Sequence, residues 1–185
     1  MSDIDQPSAF DDLPGDLMMW VLIVSELLVF GAGLAAFLAV RITDPAGFAE
    51  AQTHLHRAAA GVNTLVLVTS GWLAALSHRA SLAGQIRRTR LLLLGAAALG
   101  GVFLAIKFHE YADAAAQGFS TESGAFFTFY YLLTGFHAAH VAAGMLLFGL
   151  IAFRPNPRSV QAVTMFWHMV DLVWVLLFPV IYLLR

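Results

Sequence analysis

GAFFTFYYLLTGFHAAHVAAGMLLFGLIAF, residues 124–153, holds no Asp, Glu, Lys or Arg in 30 consecutive positions. A helix needs about 20 predominantly apolar residues to cross a hydrocarbon core about 30 Å thick, so this stretch predicts a membrane span. Four further stretches read the same way. Residues 17–40 carry one formal charge, Glu26, and residues 58–76 carry none. Residues 91–106 run straight into Lys107, Phe108, His109, Glu110 and Tyr111, and residues 159–184 contain Asp171 and the titratable His168. The predicted fold is all-α: an integral membrane bundle of five transmembrane helices, at about 17–40, 58–77, 91–111, 126–152 and 160–184.

Composition agrees. The chain is 59% hydrophobic and 12% charged, with a mean hydropathy of +0.76, too apolar for a soluble domain of this length. Residues 17–185 therefore form one membrane domain with short loops. A net charge of −2 with scattered basic residues argues against nucleic acid as a partner. The absence of cysteine removes disulfides, thiolate-ligated clusters and Cys-x-x-Cys-His haem attachment, leaving any metal to His and carboxylate.

Residues 1–16 contain Asp3, Asp5, Asp11, Asp12 and Asp16 but no Lys or Arg, which predicts an acidic solvated tail and not a cleavable signal, since a signal needs a basic start. Pro14 and Gly15 break the chain before Asp16, a suitable cap for the first helix. Arg79, Arg87, Arg88 and Arg90 between spans two and three, and Arg154 and Arg158 between four and five, fall on one side, against Arg41, Arg57 and Arg185 on the other. The excess of basic residues places the N-terminus in the cytoplasm and the C-terminus outside.

At about 1.5 Å per residue, Glu26 lies roughly 13 Å above the cytoplasmic edge. His137, His140, His168 and Asp171 lie roughly 9 to 17 Å from that edge, in one polar layer. Lys107 and Glu110 fall instead at the outer end of span three, with Asn63 and Thr64 in the outer part of span two, as an interfacial layer. A charge at mid-bilayer costs about 2.5–3.5 kcal/mol even on lenient insertion scales, so such residues face protein or a cavity and mark function. For Glu26, a protonated carboxyl bonded to a neighbouring helix and a proton or lipid site are equal readings. The spacing of His137 and His140 puts both on one helix face and favours interhelical hydrogen bonding over metal ligation. His168 and Asp171 read as a self-satisfying pair, and Lys107 with Glu110 as an ion pair near the headgroups. Gly31, Gly33, Ala35, Ala139, Ala143 and Gly144 predict close packing, and Trp20 an interfacial anchor.

The turn between the last two spans centres on Asn156, between Pro155 and Pro157. Residues whose numbers sum to about 312 then share a level, which places His140 opposite Leu172. On that register Asp171 is expected to accept a hydrogen bond from His140 or His137.

Local motifs point further. Thr134-Gly135-Phe136-His137-Ala138-Ala139-His140-Val141 resembles the Thr-Gly-Phe-His-Gly-x-His-Val signature of subunit III of the haem-copper oxidases, with Ala138 in place of Gly. Trp167-His168-Met169-Val170-Asp171-Leu172-Val173-Trp174 resembles that family's Trp-His-Phe-Val-Asp-x-Val-Trp stretch. Ser25-Glu26 through Phe30 looks like its Ser-Glu-x-x-x-Phe helix, Glu110-Tyr111 like its Glu-Tyr pair, and Asn63-Thr64 with Ser70 fits the remaining helix. Long subunits III have seven helices, and this chain has five. It is similar to the short forms, most closely to NorE-type proteins associated with nitric oxide reductases, through residues 13–20 and Lys107-x-x-Glu110-Tyr111.

The resemblance implies a subunit in a bacterial inner membrane, without redox centres of its own, that packs on a haem-bearing catalytic subunit. It would support that subunit's assembly, stability, lipid environment and proton uptake. Haem, with copper or iron, would belong to the partner, and Glu26 would lie near phospholipid. Two rivals stand beside it. A five-helix proton-coupled transporter could use Glu26, the histidines and Asp171 as a relay, although inverted repeats and Pro-broken helix pairs are missing. A membrane cytochrome could hold at most one haem, because the mid-membrane histidines share one layer.

Overall fold

The computed structural model describes residues 17–184; the acidic tail of residues 1–16, with its capping Asp16, and Arg185 lie outside them. Among the described residues, five helices are long and apolar enough to cross a membrane. They are α1 (Leu17–Thr43), α3 (Arg57–Leu82), α4 (Ile86–Ala116), α5 (Ala125–Phe153) and α6 (Pro157–Phe178), the last continued by a wide π-helical turn over Pro179–Leu183. A short amphipathic α2 (Pro45–Ala51) and a 3-10 turn (Gln52–His54) bridge α1 and α3.

The ends of these helices are written in the sequence. Asp44 caps α2, its carboxylate accepting from Gly47 N–H at 3.0 Å, and Asn156 caps α6, accepting from Ser159 N–H at 2.8 Å. In both, a proline follows the cap, where its missing N–H costs nothing. Gly84 and Gly118 adopt φ of 68° and 85°. Each lets the chain fold back on the helix it leaves: Gln85 N–H donates to Ala80 O and Phe119 N–H to Ala114 O, both at 3.0 Å. These paired reverse bonds satisfy carbonyls that a helix end otherwise leaves open.

The helices overrun the predicted spans. α4 covers 31 residues against an expected 91–111. Arg79 consequently sits in the last turn of α3 and Arg87, Arg88 and Arg90 in the first turns of α4, with residues 83–85 alone forming the loop between. Arginine is a good helix former and beyond the hydrocarbon it is solvated, so nothing stops the helix at the membrane edge.

α3, α4, α5 and α6 close into a four-helix ring, α3 touching α4 and α6, α5 touching the same two, and α1 packs outside it on α6 and α5. The core of the ring is aromatic and tight. A Cβ added at Gly100 would lie 2.8 Å from the Trp167 ring, and one at Gly144 would meet the same ring, so these glycines are the slots that admit Trp167. Gly33 likewise faces Leu133, whereas Gly31 has open space around it. Hydroxyls tie neighbouring helices: Ser70 donates to Ala96 O at 2.7 Å across α3 and α4.

Candidate functional site: three polar clusters in the bundle

The first cluster joins the ends of α4, α5 and α6. Lys107, Glu110 and Tyr111 share one face of α4 by their spacing. Lys107 Nζ donates to Glu110 Oε2 at 3.0 Å, to Tyr130 Oη at 3.0 Å and to Tyr182 Oη at 2.5 Å, which occupies all three ammonium hydrogens. Tyr182 donates in turn to Glu110 Oε1 at 2.9 Å. The ammonium also stands 4.4 Å from the centroid of the Tyr130 ring and 5.0 Å from that of Tyr111. Thr134 donates its one hydroxyl hydrogen to Tyr130 O, so the 2.7 Å contact between Tyr111 and Thr134 has Tyr111 as donor. The ion pair read from the sequence is present, but it is no headgroup pair. Lys107 and Glu110 are 1% and 6% exposed, because the tyrosines of α5 and the turn after α6 close over them. Tyr182 reaches this site from the wide turn that begins at Pro179, which has no N–H to continue the α-helical ladder.

Sequence reasoning missed Tyr130 and Tyr182, which looked like ordinary span residues, and it quoted Tyr111 and Thr134 within motifs without giving either a partner. It missed two anchors as well. Arg41 Nη1 donates to Leu184 O at 2.5 Å and Gln52 Nε2 to Ile181 O at 2.7 Å, so α1 and the 3-10 turn satisfy carbonyls at the end of the chain. The one available signal was a basic residue and an amide placed just beyond an apolar stretch.

The second cluster lies between α1 and α5. Glu26 Oε2 is 3.1 Å from His140 Nε2, and His140 Nδ1 is 2.9 Å from Phe136 O. A carbonyl only accepts, so Nδ1 carries a proton. Glu26 Oε2 itself has no hydrogen-bond partner among the described residues, so the 3.1 Å contact is ion-pair proximity without hydrogen-bond alignment. Phe30 and Phe136 wall the pair, their rings 5.5 and 4.6 Å from that of His140.

The third pairs His168 with Asp171 on α6, Nδ1 to Oδ2 at 3.7 Å. Asp171 lies against α3 at Gly71, where a Cβ would collide with its carboxylate. The expected bond from His137 or His140 to Asp171 is therefore absent. The register behind that expectation is sound: His137 stacks on Trp174, ring centroids 5.2 Å apart, and Phe148 packs on Trp167 at 4.8 Å. The azimuth was wrong. Residues at one level still point to different neighbours, and Asp171 turns to α3 while His140 turns to α1. His137 is wholly buried, edge-on to Phe103 at 5.5 Å, and neither of its ring nitrogens has a hydrogen-bond partner among the described residues. Asn63 and Thr64 serve as interhelical ties: Asn63 donates to Phe103 O at 3.1 Å, and Trp174 Nε1 donates to Thr64 at 2.9 Å. No group of three His, Asp or Glu side chains among the described residues is placed to hold a metal ion.

Five apolar spans tied to one another by buried polar side chains define a multi-pass membrane protein. Residues 15–185 match the family described as cytochrome c oxidase subunit III. Cytochrome c oxidase subunit 3 of Thermostichus vulcanus is 32% identical over 177 residues, covering 91% of this chain and 86% of that protein. A probable cytochrome c oxidase subunit 3 of Mycobacterium bovis is 31% identical over 173 residues, 89% of this chain and 85% of its own length. A heme-copper oxidase subunit I+III of Aeropyrum pernix is 32% identical over 179 residues, which are 89% of this chain but 22% of that longer protein. The chain belongs to the cytochrome c oxidase subunit III family of the haem-copper oxidases.

Proposed function

We propose that this chain is a non-redox accessory subunit of a haem-copper terminal oxidase. It packs on the haem-bearing catalytic subunit and supports that subunit's assembly, stability, lipid environment and proton uptake. The observation that carries the reading is family membership across nearly the whole chain, reinforced by the Aeropyrum relative whose name joins subunits I and III in one polypeptide. The polar clusters fit it, because their groups are paired with one another and not arranged around a common centre. Haem and copper, or iron, reside in the partner. The chain lies in a bacterial inner membrane with its N-terminus, including the acidic tail of residues 1–16, in the cytoplasm, and Glu26 stands near phospholipid at the α1–α5 seam.

Purification in mild detergent tests this. A haem-bearing subunit is expected to accompany the chain, and the isolated chain is expected to show no Soret band. A Soret band in the partner-free protein would instead support the single-haem cytochrome. A second partner is favoured by residues 13–20 and the Lys107-x-x-Glu110-Tyr111 segment, which resemble NorE-type proteins: a nitric oxide reductase. The spectrum and the gas consumed by the co-purified complex separate the two.

A further inference from the structure

α4 and α5 part along one stretch of their seam and leave an apolar groove of about 550 Å³ on the outside of the bundle. Ala97 of α4 and Ala142 and Gly149 of α5 give it width, and Leu104, Leu146 and Phe153 wall it in. Its floor is closed by Met145, whose side chain packs over Gly100 and Gly101 of α4. A Cβ added at Gly149 would meet nothing within 4 Å, so the space beside it is open. Residues 142 to 153 span about 16 Å of helix at about 1.5 Å per residue. That is the depth of one leaflet, half of a hydrocarbon core about 30 Å thick. Toward the other leaflet the two helices close again, where Tyr111 bonds Thr134 at 2.7 Å and packs on Tyr131. A groove that stops at mid-membrane suits the acyl chains of one lipid better than a transmembrane helix, which runs the full thickness.

The open end of the groove is cationic. Arg90 Nη2 donates to Phe153 O at 3.0 Å, which holds the guanidinium over that end and leaves its other N–H groups to give. Arg90 stands two turns before Ala97 on the same face of α4, and Arg87, three residues earlier, shares that face; both arginines are exposed. Among the described residues no carboxylate lies at this end of the bundle. Asp44, Glu50, Glu110, Asp113 and Glu122 lie toward the opposite end, and Glu26 and Asp171 lie within spans. We propose that the α4–α5 groove binds one anionic phospholipid, its acyl chains against Ala97, Ala142 and Gly149 and its phosphate between Arg87 and Arg90. A guanidinium fork matches a phosphate with two parallel hydrogen bonds. With no carboxylate to receive the ammonium of a zwitterionic headgroup, the site selects for net negative charge. It is separate from the α1–α5 seam at Glu26, since no residue of α1 lines it.

Native mass spectrometry of the full chain in mild detergent, titrated separately with phosphatidylglycerol and with phosphatidylcholine, tests this. The chain is expected to retain one phosphatidylglycerol in clear preference to phosphatidylcholine. Each arginine near a membrane surface is worth about fivefold in attraction to anionic lipid, so Arg87→Gln with Arg90→Gln is expected to weaken phosphatidylglycerol retention about 25-fold and to leave phosphatidylcholine unchanged. Gly149→Leu fills the open space without a collision and is expected to lower phosphatidylglycerol retention about tenfold. Gly135→Leu puts the same side chain on α5 outside the groove, again with nothing within 4 Å of its Cβ, and is expected to bind as the unaltered chain does. Ala97→Leu fills the groove from α4 and serves if circular dichroism shows Gly149→Leu to be misfolded. Equal retention of the two lipids, or retention that neither groove-filling variant lowers, marks ordinary boundary lipid and overturns the proposal. A dimer of the chain that the groove-filling variants dissolve assigns the groove to a second copy and overturns it as well.

Discussion

His140 and His137 stand three residues apart on one helix, yet their environments make opposite predictions. His140 bonds Phe136 O through Nδ1 and stands 3.1 Å from Glu26 Oε2. Glu26→Gln keeps the shape and hydrogen-bonding capacity of the side chain beside His140 without a formal charge. The variant should fold, assemble and leave the partner's electron transfer largely unchanged, as measured by complex yield and turnover. Glu26→Lys places an uncompensated cation near mid-bilayer, at about 2.5–3.5 kcal/mol on insertion scales, and should lower assembly. Abolished turnover in Glu26→Gln would make Glu26 an obligatory proton carrier. His137 lies on Trp174 with no polar partner to lose. His137→Phe should change stability by less than about 1.5 kcal/mol, as volume-conserving core swaps do, whereas His140→Phe should cost more because Glu26 is left alone. Unfolding in mixed micelles ranks the two, and the reverse order would contradict the geometry.

At the scale of elements, the Lys107 cluster fastens α4 to α5 and to the turn after α6. Removing one member of a buried ion pair leaves the other charge uncompensated, typically at about 3–5 kcal/mol, while replacing both by apolar groups is often neutral. Lys107→Met alone should therefore lower thermal stability more than the double variant Lys107→Met with Glu110→Leu. A thermal-shift series on the two singles and the double measures this. Additive losses would show that Lys107 and Glu110 act independently despite their 3.0 Å contact.

For the whole molecule, the native absence of cysteine makes topology directly measurable. Single cysteines introduced in residues 1–16 and at Gly84 are expected to react with an impermeant maleimide only from the cytoplasmic side, and one at Gly118 only from the outside. The opposite pattern would reverse the orientation drawn from the arginines. Five spans and a hairpin turning at Asn156 were legible along the chain, because hydropathy and proline act locally, through solvent and through the backbone of the same turn. Even the α5–α6 register was legible, since a short turn leaves little freedom to slide. Azimuth was not. Which way Asp171, His137 and Lys107 point is set by Gly71, Trp174, Tyr130 and Tyr182 on other helices, and an all-apolar span presents no amphipathic face from which to read a rotation in a medium that is apolar on every side. Tertiary packing alone turned an apparent headgroup pair into a buried lock, left His137 without a polar partner, and buried Asp171 against α3 while His168 beside it stayed half-exposed.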